Sequence, residues 1–307
     1  MPSVEAWPIT AAGTLALDDL STPAGAVREE PGGSAAYFAL AAADPGPVHI
    51  VAALGADGAA VAAAVAHPRL DLTGVVRLPG QTYRWRAVHD PQTGAVTGDQ
   101  QRFGVYLGWR PAVPAAAAAA PVCFVGSMAP AHQLSVLRQC RRARLRAADT
   151  MVDFIDAERD AVLAVLAAVD VAFLNERELL ALAGERGADP LAAAHRLLGR
   201  GRTRAVVWTR GPLGAVLVTA GAVVARPAAP PVAVTDPTGA GDALAGGFCC
   251  ELARRRRTGP GDLAAALDHG LAAAARAICA FGLRGLWTPA TGVARGRRGA
   301  RSVGAAR

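Results

Sequence analysis

The residues Thr235-Asp236-Pro237-Thr238-Gly239-Ala240-Gly241-Asp242-Ala243 place an acid directly after a glycine-rich turn and before the apolar stretch 244–250. Two glycines around an alanine let the backbone pass close to a ligand, and the small apolar residues after Asp242 predict a helix starting about there. Successive N–H groups at such a helix start point outward and suit an anion. A carboxylate beside an anion repels it unless it has a proton to remove, so Asp242 reads as a general base in a phosphoryl-transfer site. On these residues alone a second reading stands beside the first: an Asp that caps the helix and favours its dipole.

Three further segments follow the same theme along the chain: Gly32-Gly33-Ser34-Ala35-Ala36, Asn175-Glu176-Arg177-Glu178 and Thr209-Arg210-Gly211-Pro212-Leu213-Gly214. With the late segment they resemble, in order, the signatures of the ribokinase-like (PfkB) carbohydrate kinases: a Gly-Gly pair, Asn-x-x-Glu, a nucleotide loop Thr-Arg/Lys-Gly-x-x-Gly, and Asp-Thr-x-Gly-Ala-Gly-Asp. The resemblance covers residues 13–288. It implies an α/β three-layer fold with a mostly parallel central sheet and a small β-strand lid. The implied activity is transfer of the γ-phosphate of ATP to a hydroxymethyl group of a sugar or a sugar-like cyclitol, with a nucleoside as the alternative acceptor. A member that binds ligand without catalysis is the reading from a different class. The intact Asp242 and its glycines count against it, because such a protein has no use for a base beside an anion site.

Roles follow by matching residues to those signatures. Asp242 is the base, and the N–H groups of Gly239, Ala240 and Gly241 stabilise charge on the transferred group, as a preorganised anion hole does. Asn175 and Glu178 organise Mg²⁺ through water. Thr209, Gly211, Gly214 and Thr238 face the nucleotide, and Asp18, Gly32 and Gly33 face the substrate. The neighbouring Asp19 leaves the choice of carboxylate open. The resemblance also implies a monovalent cation, K⁺, near Asp236, where Pro237 replaces a common Thr but keeps its carbonyl. Read without the resemblance, Asn175 is a helix cap at a strand-to-helix junction, and the 209–214 segment is a plain turn. One departure bears on the acceptor: the family often carries an Asn just beyond the glycine pair, where this chain has Ser34-Ala35-Ala36-Tyr37. Tyr37 reads either as a ring that packs on the substrate or as core filling.

Every one of the 32 basic residues is arginine. A Walker A loop needs a lysine to reach the phosphates and is excluded. The formal charge is +7 over 307 residues, but five arginines without any acid lie in 291–307, so the body is nearly balanced. That tail is expected to be disordered, and Arg254 to Arg257 to be the solvated end of the helix that starts near Asp242. Neither cluster has aromatic residues interleaved, so no nucleic-acid partner is expected. No long uninterrupted apolar segment or basic leader is present, so neither a membrane partner nor export is expected and the location reads as cytoplasmic. Cys123, Cys140, Cys249, Cys250 and Cys279 sit among apolar residues without Cys-x-x-Cys spacing and read as reduced core residues.

The elements that must position these residues alternate in type. Strands are expected at 8–17, 48–54, 122–125, 171–174, 205–208 and 215–219, and helices at 34–43, 161–169, 190–198 and 260–281. This alternation implies a parallel sheet covered on both faces. Residues 1–290 read as one kinase domain. Segments 18–31 and 75–107 interrupt the rhythm with polar residues alternating with β-formers, and read as lid strands or an edge hairpin; a lid with an exposed sheet face is a candidate homodimer surface. The alanine run 115–120 reads as a loop or short helix.

Overall fold

The structure is a computed structural model and describes residues 5–44, 46–90, 96–184, 188–230 and 233–287. The tail 291–307 lies outside them. Thirteen strands run in chain order: β1 Ile9–Ala12, β2 Ala16–Thr22, β3 Gly25–Gly32, β4 Val48–Leu54, β5 Leu70–Arg77, β6 Tyr83–His89, β7 Val96–Arg102, β8 Val122–Val125, β9 Leu145–Ala148, β10 Val171–Asn175, β11 Ala205–Thr209, β12 Ala215–Thr219 and β13 Val223–Arg226. The helices are α1 Ser34–Ala41, α2 Ala59–Ala64, α3 Ala115–Ala118, α4 Pro130–Gln139, α5 Val152–Ala167, α6 Glu176–Ala183, α7 Pro190–Leu197, α8 Ala240–Arg255 and α9 Pro260–Ala277.

Nine strands form the main sheet in the order β13-β12-β11-β10-β9-β8-β1-β4-β5. All neighbours from β11 to β5 are parallel, and β12 and β13 add antiparallel pairs at one edge. The central strands are apolar on both faces, as a doubly covered parallel sheet requires. Alternate residues serve opposite layers. Val122 and Phe124 pack with α1, α8 and α9, whereas Cys123 and Val125 pack with α4. Helix α1 is buried on every side and its Phe38 stacks on Phe124 at 4.0 Å between ring centroids.

The small sheet has the order β3-β2-β6-β7 and is the lid. Expectation and structure differ at its borders. The predicted first strand 8–17 is split: β1 stays in the main sheet, and the chain re-enters at Ala16 as lid strand β2. The lid segment drawn at 75–107 begins instead at Tyr83, because Val75 to Arg77 end β5, the half-exposed edge of the main sheet, where polar alternation looks the same. At its other end Gly104–Leu107 is a 3₁₀ turn rather than a strand. It buries Tyr106, whose hydroxyl accepts from Leu15 N and Ala53 N at 3.0 and 3.2 Å and donates to Gly13 O at 3.0 Å. Cys279 is exposed, unlike the other four cysteines, because it falls just past the end of α9.

The lid is tied to the C-terminal half of the chain. Thr22 Oγ1 donates to Thr235 O at 2.8 Å, His89 Nε2 meets Thr238 Oγ1 at 3.1 Å, and Arg284 pairs with Glu30 at 2.6 Å. Arg254 and Arg255 at the end of α8 bind the buried Glu251. Among the described residues no helix is long and apolar enough to cross a membrane.

Candidate active site

Strand β1 has β4 on one side and β8 on the other, so the sheet order reverses there, and a crevice opens at the carboxyl ends of the strands. A cleft of about 280 Å³ occupies this place. Thr14 follows β1, Ser127 follows β8, Asp149 and Thr150 follow β9, Asn175 ends β10 and Thr209 ends β11, and all six line the cleft. The β10–β11 register sets Asn175 opposite Thr209. From the lid come Asp18, Tyr83 and Trp85, and from the α1 and α8 side come Gly33, Tyr37, Thr238, Gly239, Gly241 and Asp242.

The late glycine loop is held from below. Asp236 is buried, and its carboxylate accepts Thr238 N at 3.0 Å and Gly282 N at 3.2 Å. Gly239 stands at the N-cap of α8 with φ 72°, and a Cβ there would come within 2.3 Å of the Tyr37 ring. Tyr37 is therefore both core and floor of the cleft. Of the three N–H groups expected in the cradle, that of Ala240 already turns back to Pro237 O at 3.3 Å, and Ala240 is not on the described wall. Asp242 lies in the first turn of α8; its carboxylate takes up its own backbone N–H, while Oδ1 is closed from solvent without a partner.

Asn175 and Glu178 form a capping box at the start of α6. The Asn175 side chain accepts Glu178 N at 3.0 Å, and Glu178 accepts Asn175 N at 2.8 Å and Asn175 Nδ2 at 2.7 Å. Capping and site lining coincide here, since the box fixes a buried carboxylate on the cleft wall. Gly211 opens a 3₁₀ turn beyond Thr209 and Gly214 closes it, and both stand outside the described lining.

The adjacent carboxylates 18 and 19 diverge, as strand alternation demands. Asp18 is buried and faces the cleft, whereas Asp19 accepts Glu29 N at 2.9 Å on the outer side. Gly32 makes room for Asp18, because a Cβ would fall 2.1 Å from Asp18 Oδ2. Gly33 is the N-cap of α1 and lines the cleft.

Asp149 was not among the residues singled out from sequence, yet it meets Asp242. Burial first, and the Asp242 charge second, push the Asp149 carboxyl well above the usual carboxylate range. Burial raises Asp242 to about 6, and the hydrogen bond from Asp149 pulls it back down. Burial thus raises both carboxyls of the pair. Burial also lifts Asp18, reinforced by Asp236, and carries Glu178 to about 7 against the hydrogen bonds from Asn175. The described lining holds four acids, Asp18, Asp149, Glu178 and Asp242, and no basic side chain.

Such a cavity repels a polyphosphate unless a cation enters with it. Among the described residues no three His, Cys, Asp or Glu side chains converge as a metal cage. Mg²⁺ usually keeps several waters and takes few protein ligands, so the fixed Asn175–Glu178 pair fits it. At Asp236, where the resemblance implies K⁺, both carboxylate oxygens accept backbone N–H groups, as both oxygens of Glu178 accept N–H groups of Asn175.

Comparison with known proteins identifies the family and the fold. The sequence profile described as pfkB family carbohydrate kinase matches residues 9–289. The chain is 32% identical over 254 residues to a cytidine kinase of Thermococcus kodakarensis, covering 80% of this chain and 88% of that protein. In fold it is similar to a probable sugar kinase from Rhizobium etli (TM-score 0.75, 19% identity, 91% and 95% of the two chains covered). It is likewise similar to the nucleoside kinase of Methanocaldococcus jannaschii (TM-score 0.72, 18% identity, 91% and 93% covered). A third likeness is to aminoimidazole riboside kinase from Salmonella enterica (TM-score 0.73, 21% identity, 92% and 97% covered). With a family match across nearly its whole length and the expected acid at the mouth of a glycine-lined helix start, this chain belongs to the PfkB carbohydrate kinases, ATP-binding phosphotransferases that act on an alcohol group.

Proposed function

We propose that the enzyme phosphorylates the hydroxymethyl group of a nucleoside, using ATP with Mg²⁺. The observation that carries the choice of a nucleoside over a free sugar is a second cavity, of about 270 Å³, which shares Thr14, Tyr83 and Ser127 with the first. Its walls include the rings of Tyr83, Phe103, Tyr106 and Phe154. A free pentose makes no use of the second cavity, whereas a planar base attached to it has aromatic faces there to pack against. The likeness to a cytidine kinase supports the same choice.

In this reading Asp18 accepts hydrogen bonds from sugar hydroxyls. Asp242 takes the proton of the hydroxymethyl group as its oxygen attacks the γ-phosphorus, and the bond from that phosphorus to the bridging oxygen of ADP breaks. A positioned base contributes a factor of about 100 to 10,000. The N–H groups of Gly239 and Gly241 face the developing negative charge. Asn175 and Glu178 hold Mg²⁺ through water, and the ion offsets phosphate charge in an acid-lined cleft. No step is assigned to K⁺.

The test is ADP release from MgATP over a panel of nucleosides, free pentoses, hexoses and cyclitols. Nucleosides should be turned over with the higher kcat/KM. Turnover of a free sugar or cyclitol with none of any nucleoside would refute the nucleoside assignment.

A further inference from the structure

The chain passes between the main sheet and the lid at 13–15 before β2, at Gly33 after β3, at 78–82 before β6 and at 103–106 after β7. Hydrogen bonds join these crossings in series. Thr14 N donates to Ser34 Oγ at 3.1 Å, Ser34 N donates to Thr14 Oγ1 at 3.1 Å, and the two hydroxyls meet at 3.2 Å, so the first two crossings are tied. Ala35 N adds a bond to Thr14 O at 3.1 Å. A Cβ at Gly33, where φ is 101°, would lie 2.4 Å from Thr14 O, which shows how closely the two backbones approach. The last two crossings are tied by Val105 N, which donates to Gln81 O at 2.9 Å.

The Tyr106 hydroxyl links one pair of crossings to the other. It brackets Thr14, accepting Leu15 N and donating to Gly13 O, both at 3.0 Å, and it accepts Ala53 N of β4 at 3.2 Å. Burial pushes the phenol above its ordinary pKa, so it keeps the hydrogen that Gly13 O accepts. Thr14 lines both cavities, and Asp18 stands on the cleft wall four residues further along the same segment. The groups assigned to the phosphates, Asn175, Glu178 and Asp242, belong to β10, α6 and α8 instead.

We infer that Tyr106 is a positioning residue for acceptor binding, its hydroxyl fixing the first crossing so that Thr14 and Asp18 are in place before the acceptor arrives. This rests on the reading of Asp18 as a contact of acceptor hydroxyls, and not on the acceptor being a nucleoside. Without the hydroxyl the crossing is ordered in only a fraction of molecules, and the apparent affinity for the acceptor falls by that fraction.

Tyr106→Phe tests it, because the ring stays on the cavity wall and only the three bonds are lost. The probe is whichever acceptor of the panel above gives the highest kcat/KM. Its KM should rise at least about tenfold, with kcat and the KM for MgATP within about threefold of the wild type. Hydrogen exchange at the Leu15 and Ala53 amides should quicken. A hydroxyl that serves stability alone predicts a lower Tm with all kinetic constants unchanged below the melt; that result, or a loss confined to kcat, overturns the inference. Where Tyr106→Phe does not fold, Ser34→Ala decides, since it cuts the tie on the other side of the same crossing: a raised acceptor KM supports the inference and an unchanged one overturns it. A free sugar as the best acceptor would refute the nucleoside assignment, and the same KM comparison on that sugar would still decide the role of Tyr106.

Discussion

Replacing Asp242 by Asn should cost nearly all turnover and yet make the protein more stable at neutral pH. The second half follows from the carboxylate's surroundings. Its pKa rises from 3.8 to about 6 on folding, chiefly through burial. A carboxyl raised in this way binds its proton more tightly in the folded chain, so its contribution is most favourable below about pH 4 and is lost as pH climbs through about 6. Above that the charge is a penalty of about 2 pKa steps, or ~3 kcal/mol. Asn keeps the shape and escapes the penalty. For a chain of this length a gain of ~1–3 kcal/mol raises Tm by about 2–5 °C. The gain should be largest at pH 7.5 and shrink at pH 5. Turnover with saturating MgATP and acceptor should fall at least about 100-fold, or ~2.7 kcal/mol of transition-state stabilisation. Kinetics and thermal melts of the same preparation measure both. Asn caps helices about as well as Asp, so a variant with near-normal turnover would eliminate the base assignment. Unchanged or lower stability at pH 7.5 would refute the electrostatic account of the pair with Asp149.

Gly239→Ala would drive a Cβ into the Tyr37 ring at 2.3 Å on a backbone with φ 72°, so it should lower Tm and reduce turnover by more than about tenfold, with strain at such a site costing of order 1–3 kcal/mol; wild-type kinetics would mean the loop has slack. Glu178→Gln should raise the Mg²⁺ needed for half-maximal rate several-fold and leave acceptor KM nearly unchanged, whereas an unaltered Mg²⁺ titration would leave Glu178 with its capping role alone. Nucleoside binding should slow hydrogen exchange of backbone amides in β6 and β7, because closure excludes water from the reacting groups. Equal exchange with and without a verified acceptor would make the small sheet a static hairpin pair.

Local geometry was the legible part of this chain. The turn before α8 needs a left-handed residue and only glycine offers one cheaply, so its place and its acid can be read from nine residues. What such a turn rests on cannot: nothing near Gly239 in sequence announces the Tyr37 ring, which lies about two hundred residues away in the chain. Asp18 and Asp19 were equivalent as letters and became distinct once β2 had two faces. Asp149 escaped because β9 has only four residues, Leu-Arg-Ala-Ala, with too little pattern to mark a strand end. The sheet's parallel order, with each strand delivering its last residue to the crevice, was the signal that could have found it. Val75 was drawn into the lid because an exposed sheet edge and a lid strand carry the same alternation of polar and β-forming residues.

The ties between lid and glycine loop bear on waste. Thr22 and His89 hold Thr235 and Thr238 from above, only a few residues before Asp242. Were the small sheet to lift, the loop would lose that clasp together with its cover. A water molecule entering an open cleft would then meet Asp242 beside a loop held from below by Asp236 alone. An acceptor that fills the cleft and holds the clasp shut would meet Asp242 with the loop held on both sides. Fuel economy would then come from the hydrogen bonds that shape the site, without a separate safeguard. The ratio of ADP released with acceptor to ADP released without it measures that economy, and removing the Thr22 hydroxyl (Thr22→Val) should lower the ratio.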